Sequence, residues 1–240
     1  MNPMKINHLP EIDLARYAPL SADEKRRQLR THGLFKPTLS YRPLRRVHPD
    51  IFNLQLGDLE CPPSPWGHIE KRIREECASR PDWLDANLEL AELLYRHVSA
   101  KRIKSYQRAV PGFAIKRAVG HSVRYWGDYY FVEDARPVML FLDPRRGSGL
   151  GAAGRRVAFS IQHHACATSD FENTVFKIYQ FPGKGDDPRR LLEHSHDPDQ
   201  IYSMDELNAM LDETCQIWLE VQVEREDETR RKTGTTGTLL

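Results

Sequence analysis

No apolar run in this 240-residue chain approaches the ~20 residues that a membrane-crossing helix needs. The start, Met1 to Lys5, leads into polar sequence without the apolar core of a secretory signal. Neither sign of charge dominates: 35 Lys and Arg stand against 34 Asp and Glu, a net charge of +1, which excludes a global pull toward nucleic acid or anionic lipid. Cysteine is scarce and scattered. Cys61, Cys77, Cys166 and Cys215 form no CxxC pair, so neither a disulfide framework nor a zinc ribbon is expected, and the thiols are read as reduced in a cytoplasmic protein. The chain also lacks an HExxH pair, the Gly-Lys-Ser/Thr ending of a phosphate-binding loop and any internal repeat. No cofactor or resident metal is expected.

What is present is helix punctuation. Ser21 and Glu24 form a capping box that opens a short basic helix to about His32, with Gly33 placed to stop it. Five prolines between 34 and 63 then predict an extended, irregular segment. Ser64-Pro65 opens a helix with Trp66, Ile69, Ile73 and Cys77 on one stripe. A second helix runs from about Trp83 to Val98, after Pro81. From about residue 110 short β-rich runs take over, including Val123, Phe131, Val138 to Leu142, Val157 to His163 and Val175 to Phe181. Short links between such runs predict antiparallel pairing. Ser203 and Glu206 form a second capping box, followed by an apolar stripe from Leu207 to Val221.

The predicted fold class is therefore α+β. A helical N-terminal half (about 1–105) packs on an antiparallel β-meander (about 110–182), and a helix from Ser203 to about Glu220 covers the sheet. In segments, 1–63 holds a helix and a Pro-rich stretch, 64–222 is a single α+β domain, and 223–240 is a charged, then Gly/Thr-rich tail expected to be disordered.

Several clusters have the residue types of chemistry without its spacing. Asp143, His163, His164, Cys166, His194 and His196 include metal-ligating and acid–base types, but His163 and His164 would face opposite sides of a continuing strand. Asp128, Glu133, Asp134 and Asp143 supply acids without the lysine or convergence of a metal-dependent nuclease. Arg145, Arg146, Arg155 and Arg156 bracket a Gly-rich stretch (Gly147, Gly149, Gly151, Gly154) between two predicted strands. It suits phosphate through guanidinium forks, or is a plain solvated hairpin loop. Arg42, Arg45, Arg46, Lys71, Arg72, Arg74, Lys101, Arg102, Lys104 and Arg108, with Tyr41 and Tyr106, offer a nucleic-acid track, or a solvated helix face laced with ion pairs.

The sharpest feature is the apolar stretch Phe52 to Glu60, flanked by Asp50, Pro62, Pro63 and Pro65. Gln55 offers an amide that both donates and accepts. Leu56 and Leu59 each bring a side chain worth about 1.5–3 kcal/mol if buried in a partner's pocket, and Gly57 lets the backbone bend between them. Gln55 to Leu59 resembles the peptide by which bacterial proteins dock on the replication sliding clamp. Asp58 departs from it, since a Leu or Met is usual there. The plain reading is that Leu54, Leu56 and Leu59 are core residues of a connecting segment.

On that peptide, the length and the missing enzyme motif, the chain resembles the SocB family of replication-inhibiting toxins. The resemblance implies a non-enzymatic toxin of a toxin–antitoxin system, a DNA replication inhibitor that occupies the sliding clamp's peptide pocket through Gln55, Leu56 and Leu59. It also implies a cognate SocA-like antitoxin acting as protease adaptor, with the chain as a ClpXP substrate. The alternative is a metal-dependent nuclease or nucleotide-acting toxin using Asp143, His163 or His164, with the Arg145 to Arg156 loop holding phosphate.

Overall fold

The computed structural model describes residues 8–33, 39–55, 61–107, 115–116, 122–123, 129–147, 149–166, 172–183 and 187–232. Helices α1 (Glu11–Tyr17), α2 (Ala22–Leu29) and α3 (Arg42–Ile51) lead into strand β1 (Leu54–Gln55). Helices α4 (Trp66–Glu76) and α5 (Leu84–Lys101) follow, then strands β2 (Ser105–Gln107), β3 (Ile115–Lys116), β4 (Ser122–Val123), β5 (Tyr129–Glu133) and β6 (Arg136–Asp143). Helix α6 (Ala152–Cys166), strands β7 (Val175–Gln180) and β8 (Leu192–Ser195) and the long helix α7 (Met204–Lys232) complete the chain.

Six strands form one sheet in the order β1-β2-β5-β6-β7-β8, while β3 and β4 pair apart from it. The α+β class holds, but the sheet is mixed rather than an antiparallel meander. β6 and β7 run parallel, as do β1 and β2, and the other neighbours are antiparallel. The reason is α6. Val157 to His163 is a helix, not the expected strand, and it carries the chain back so that β7 starts level with β6. Its buried residues include Val157, Ala158, Phe159, Ser160, Ile161 and Gln162, on nearly every side. An all-round buried helix has no amphipathic stripe, and its apolar run reads like a buried strand.

Two cores follow from the alternation of side chains along β6 and β7. Met139, Phe141, Phe176 and Ile178 join the layer of α1, α2, α6 and α7. Val138, Leu140, Leu142 and Tyr179 join the layer of α3, α4 and α5. A sheet covered on both faces explains the unbroken run Val138-Met139-Leu140-Phe141-Leu142. The N-terminal segment therefore serves both layers, with α1 and α2 in one and α3 in the other.

The second capping box closes fully, and the first forms its serine half. Ser21 Oγ accepts from Glu24 N at 3.4 Å, and Ser203 and Glu206 bond reciprocally at 3.2 and 2.9 Å. The expected irregular stretch 34–63 contains α3. Pro43 occupies its first turn, where an N–H is not required; Pro49 forgoes one intrahelical bond, and the burial of Leu44, Val47 and Ile51 keeps the ten residues helical. Likewise α7 continues past Glu220 to Lys232, through ten residues of the expected disordered tail. Arg225 there donates to the Leu29 and His32 carbonyls, and Glu224 pairs with Arg26 and Arg30. The helix thus packs on α2 as well as α6. No helix among the described residues is long and apolar enough to cross a membrane, and no disulfide joins the four cysteines.

Two helical glycines separate fit from propensity. A Cβ on Gly154 would lie 3.0 Å from the Ala15 carbonyl oxygen of α1, whereas one on Gly67 of α4 would meet nothing within 4 Å. Gly67→Ala should raise unfolding free energy by about 0.4–1 kcal/mol, and Gly154→Ala should lower it by about 1 kcal/mol or more. Urea denaturation of the two variants checks this, and equal effects would refute the close α1–α6 contact.

Candidate functional site

The clamp-peptide region begins where α3 ends. Phe52 is fully buried, Asn53 turns the chain with φ +50°, and β1 adds two residues beside β2 at the outer edge of the sheet. Gln55 is buried, 5 % exposed, and its amide joins both ends of the segment that follows. Its Nε2 donates to the carbonyls of Asn53 (2.8 Å) and Cys61 (3.4 Å), and its Oε1 accepts from Cys61 N (2.8 Å). Leu56 and Leu59 lie outside the described residues, as do Arg108 and Asp128.

Beside Asn53 and Cys61 lies a cleft of about 580 Å³ between the ends of α3 and α5 and the 61–64 stretch. Asp50 on its rim accepts from Ser64 Oγ at 3.3 Å and pairs with Arg72. Five of the ten basic residues expected to form a track, Arg72 among them, are similarly engaged. Arg46 pairs with Glu76 (2.7 Å), Arg74 with Glu70 (2.6 Å), Lys71 with Glu75 (3.9 Å), and Lys101 with Glu133 and Glu193. That is the ion-pair-laced face, of little electrostatic reach.

The Gly-rich stretch after β6 is a strand-to-helix turn, not a hairpin loop. Asp143, wholly buried at the end of β6, accepts from Leu150 N (3.0 Å), Arg145 N (3.5 Å) and Gln180 Nε2 (3.2 Å). The turn's amides thus close on a carboxylate of the chain itself. Gly149 has φ +62°, and a Cβ there would sit 2.5 Å from Gln180 Nε2, so only glycine fits. Arg145 pairs with Asp13 of α1. Arg189, 5 % exposed, donates to the Pro144 carbonyl (2.9 Å) and Tyr41 Oη (2.8 Å) and pairs with Glu89 (3.1 Å), tying the turn to the opposite layer.

His163 and His164 lie on a helix, so the opposite-face argument from a strand does not apply. Their ring centroids are 5.2 Å apart. His164 Nε2 contacts the Tyr202 carbonyl at 2.9 Å, and His163 meets the edge of Phe176. His196 Nδ1 accepts from Phe176 N at 3.0 Å, extending the hold of β8 on β7. His194 Nε2 is buried without a hydrogen-bond partner. Among the described residues no three His, Cys, Asp or Glu side chains converge as metal ligands.

Sequence reading missed one cluster. Lys177, 6 % exposed in mid-strand, pairs with Glu133 and Glu193, and Lys101 pairs with the same two acids at 3.0 and 2.7 Å. Burial pushes both carboxyls up, but the hydrogen bonds and charges of the two lysines outweigh it and hold them below the usual range. Burial chiefly, with the two acids adding to it, pushes the Tyr179 hydroxyl up, and His97 Nε2 lies 3.1 Å from that oxygen. The one signal was a lysine interrupting the apolar run Val175 to Tyr179.

Six histidines share one electrostatic condition. Burial lowers the pKa of His32, His97, His163, His194 and His196, and takes His48 to about 3 with help from Arg45. Each is lower in the folded chain than its ordinary value near 6.5, so the unfolded chain binds more protons below that pH. Stability is thus retained above about pH 6.5 and lost as the pH falls toward 5. His48→Met should gain on the wild type by about 1.4 kcal/mol per pH unit over that window. Thermal melts of both proteins at pH 8, 6.5 and 5 check it, and parallel curves would refute it.

Residues 12–228 match the family described as sliding clamp-binding bacterial toxin SocB. The DNA replication inhibitor toxin SocB of Caulobacter vibrioides (strain NA1000 / CB15N) is 33 % identical over 240 residues, covering 98 % of each chain. No solved structure matches. A family match from α1 to within four residues of the end of α7 takes in both layers and the whole sheet, and on it this chain belongs to the SocB family.

Proposed function

We propose that this protein inhibits DNA replication by binding the polymerase sliding clamp. The observation that carries the reading is the end-to-end likeness to a replication inhibitor toxin, 33 % identical over 98 % of the chain. The docking element is Gln55 with Leu56 and Leu59, and the action is occupation rather than catalysis. Asp143, the acid at the head of the rival enzymatic reading, is wholly buried and taken up by Leu150, Arg145 and Gln180.

The position of Gln55 sets the energetics. Using its amide on a partner means giving up three internal hydrogen bonds at a net of about 1 kcal/mol each. Two leucines seated in apolar pockets return about 1.5–3 kcal/mol each. The exchange is close to even if Gln55 moves and favourable if it stays, so the leucines dominate affinity. Gln55 then acts mainly by holding the two ends of the segment together, which lowers the ordering entropy of docking.

Leu56→Ala with Leu59→Ala should weaken clamp binding by at least about tenfold and leave the melting temperature unchanged. Gln55→Ala should lower the melting temperature, since it removes three hydrogen bonds made by a buried amide. Interferometry against purified clamp and thermal melts read both. Unaltered clamp affinity in the double variant would overturn the assignment of the peptide. The same reading brings a SocA-like antitoxin and ClpXP as partners in a cytoplasmic setting. Degradation by purified ClpXP only when the antitoxin is added is the expected result.

A further inference from the structure

The cleft beside the segment has the composition of a ligand site. Its volume of about 580 Å³ lies within the roughly 300–1,000 Å³ of small-molecule pockets. Ile51, Val98 and Ile103 contribute its apolar floor, each 5 % exposed or less, and Tyr95 and Pro62 stand over it. The charge on its rim is unbalanced. Asp50 is taken by Arg72 and Ser64, whereas Arg102 has no carboxylate partner among the described residues.

Arg102 is also held in an unusual place. It caps α5 in the left-handed region with φ +53°, its N–H bonding the Ser99 carbonyl at 3.2 Å while Ile103 N bonds that of Val98 at 3.1 Å. Helix ends of this shape favour glycine or asparagine. An arginine accepts about 1 kcal/mol or more of backbone strain there, and such strain gathers at ligand sites. The cap fixes the Arg102 backbone at an apolar cleft that this residue lines, with its charge within reach of an occupant.

We propose that this cleft binds an amphipathic carboxylate of small-molecule size, its apolar body on Ile51, Val98 and Ile103 and its carboxylate on the fork of Arg102. Asn53 and Cys61 line the same cleft, and they are the residues whose carbonyls Gln55 holds. An occupant therefore bears on both ends of segment 56–60 and controls its availability to the clamp, a consequence that rests on the function proposed above.

Titration calorimetry of the full chain with sodium decanoate tests the site. The expected result is saturable one-to-one binding, weakened at least about tenfold by Arg102→Asn, which removes the cation but suits the left-handed cap, and by Ser99→Phe, which fills the cleft from an exposed helical position. Decylammonium, with the same tail and opposite charge, should not bind. Arg102→Asn should melt at or above the wild type, separating lost binding from lost folding. Absence of saturation, equal affinity in either variant, or equal affinity for decylammonium would overturn the site. Saturating decanoate should change clamp affinity by about fivefold or more. An unchanged affinity would overturn the coupling while the decanoate isotherm stands. A chain that never binds clamp would count against the function alone.

Discussion

The parallel pairing of β6 and β7 is the constraint on which the architecture rests. Two adjacent parallel strands cannot be joined by a tight turn, so the chain between them must cross one face of the sheet. That crossing is α6, and it commits this face to helices: α1 packs on α6, and α7 packs on α2 and α6. The opposite face, carrying Val138, Leu140, Leu142 and Tyr179, is then covered by α3 to α5. The turn that launches α6 is fixed by one carboxylate. Asp143 satisfies backbone amides that would otherwise be buried without partners, and Gln180, at the matching end of β7, bonds both Asp143 and the Leu150 carbonyl. The two strands are thus locked together at their shared end as well as along their length.

Much of this was legible in the sequence, and the failures have physical causes. Ser21 and Ser203 marked two helix starts because their signal is local: each hydroxyl accepts from the amide three residues on, and at Ser203 the Glu206 carboxylate returns the bond. The stripes of α4 and α5 were readable because each helix buries one side only. Helix α6 was misread because its burial leaves no polar face to set the period. Helix α3 was hidden by Pro43 and Pro49: Pro43 sits in the first turn, where no N–H is needed, and Pro49 forgoes one intrahelical bond in a helix held by its buried Leu44, Val47 and Ile51. The parallel register followed from the error in α6 and could not be recovered without it.

The candidate site divides the same way. Gln55 stood out from sequence as a polar residue among apolar ones, and it is singular in the fold, but the sequence gives no account of its burial. That depends on Cys61, six residues away, and on β2, fifty residues away, neither of which leaves a periodic trace. The Lys177, Lys101, Glu133 and Glu193 quartet is less legible still, because its members come from four elements that only the finished sheet brings together. Arg102 was noticed as one of ten basic residues, and only the sign of its φ sets it apart from the rest.

A protein that acts by lending a segment to another molecule must deform somewhere without losing its fold. Strand β1 is suited to that. It is two residues long, pairs on one side only, and lies at the sheet edge farthest from β8, with β2 and β5 between it and the β6–β7 pair. So short an edge pairing adds little to global stability and opens at low free energy. The body, by contrast, is anchored by two separate cores, by Arg189 tying the turn to the opposite layer and by Arg145 tying it to α1. On the proposed reading, docking rearranges Gln55 and its neighbours against a framework that does not share their strain. A ligand in the adjoining cleft would act on the segment because the cleft is lined by Asn53 and Cys61, whose carbonyls Gln55 holds.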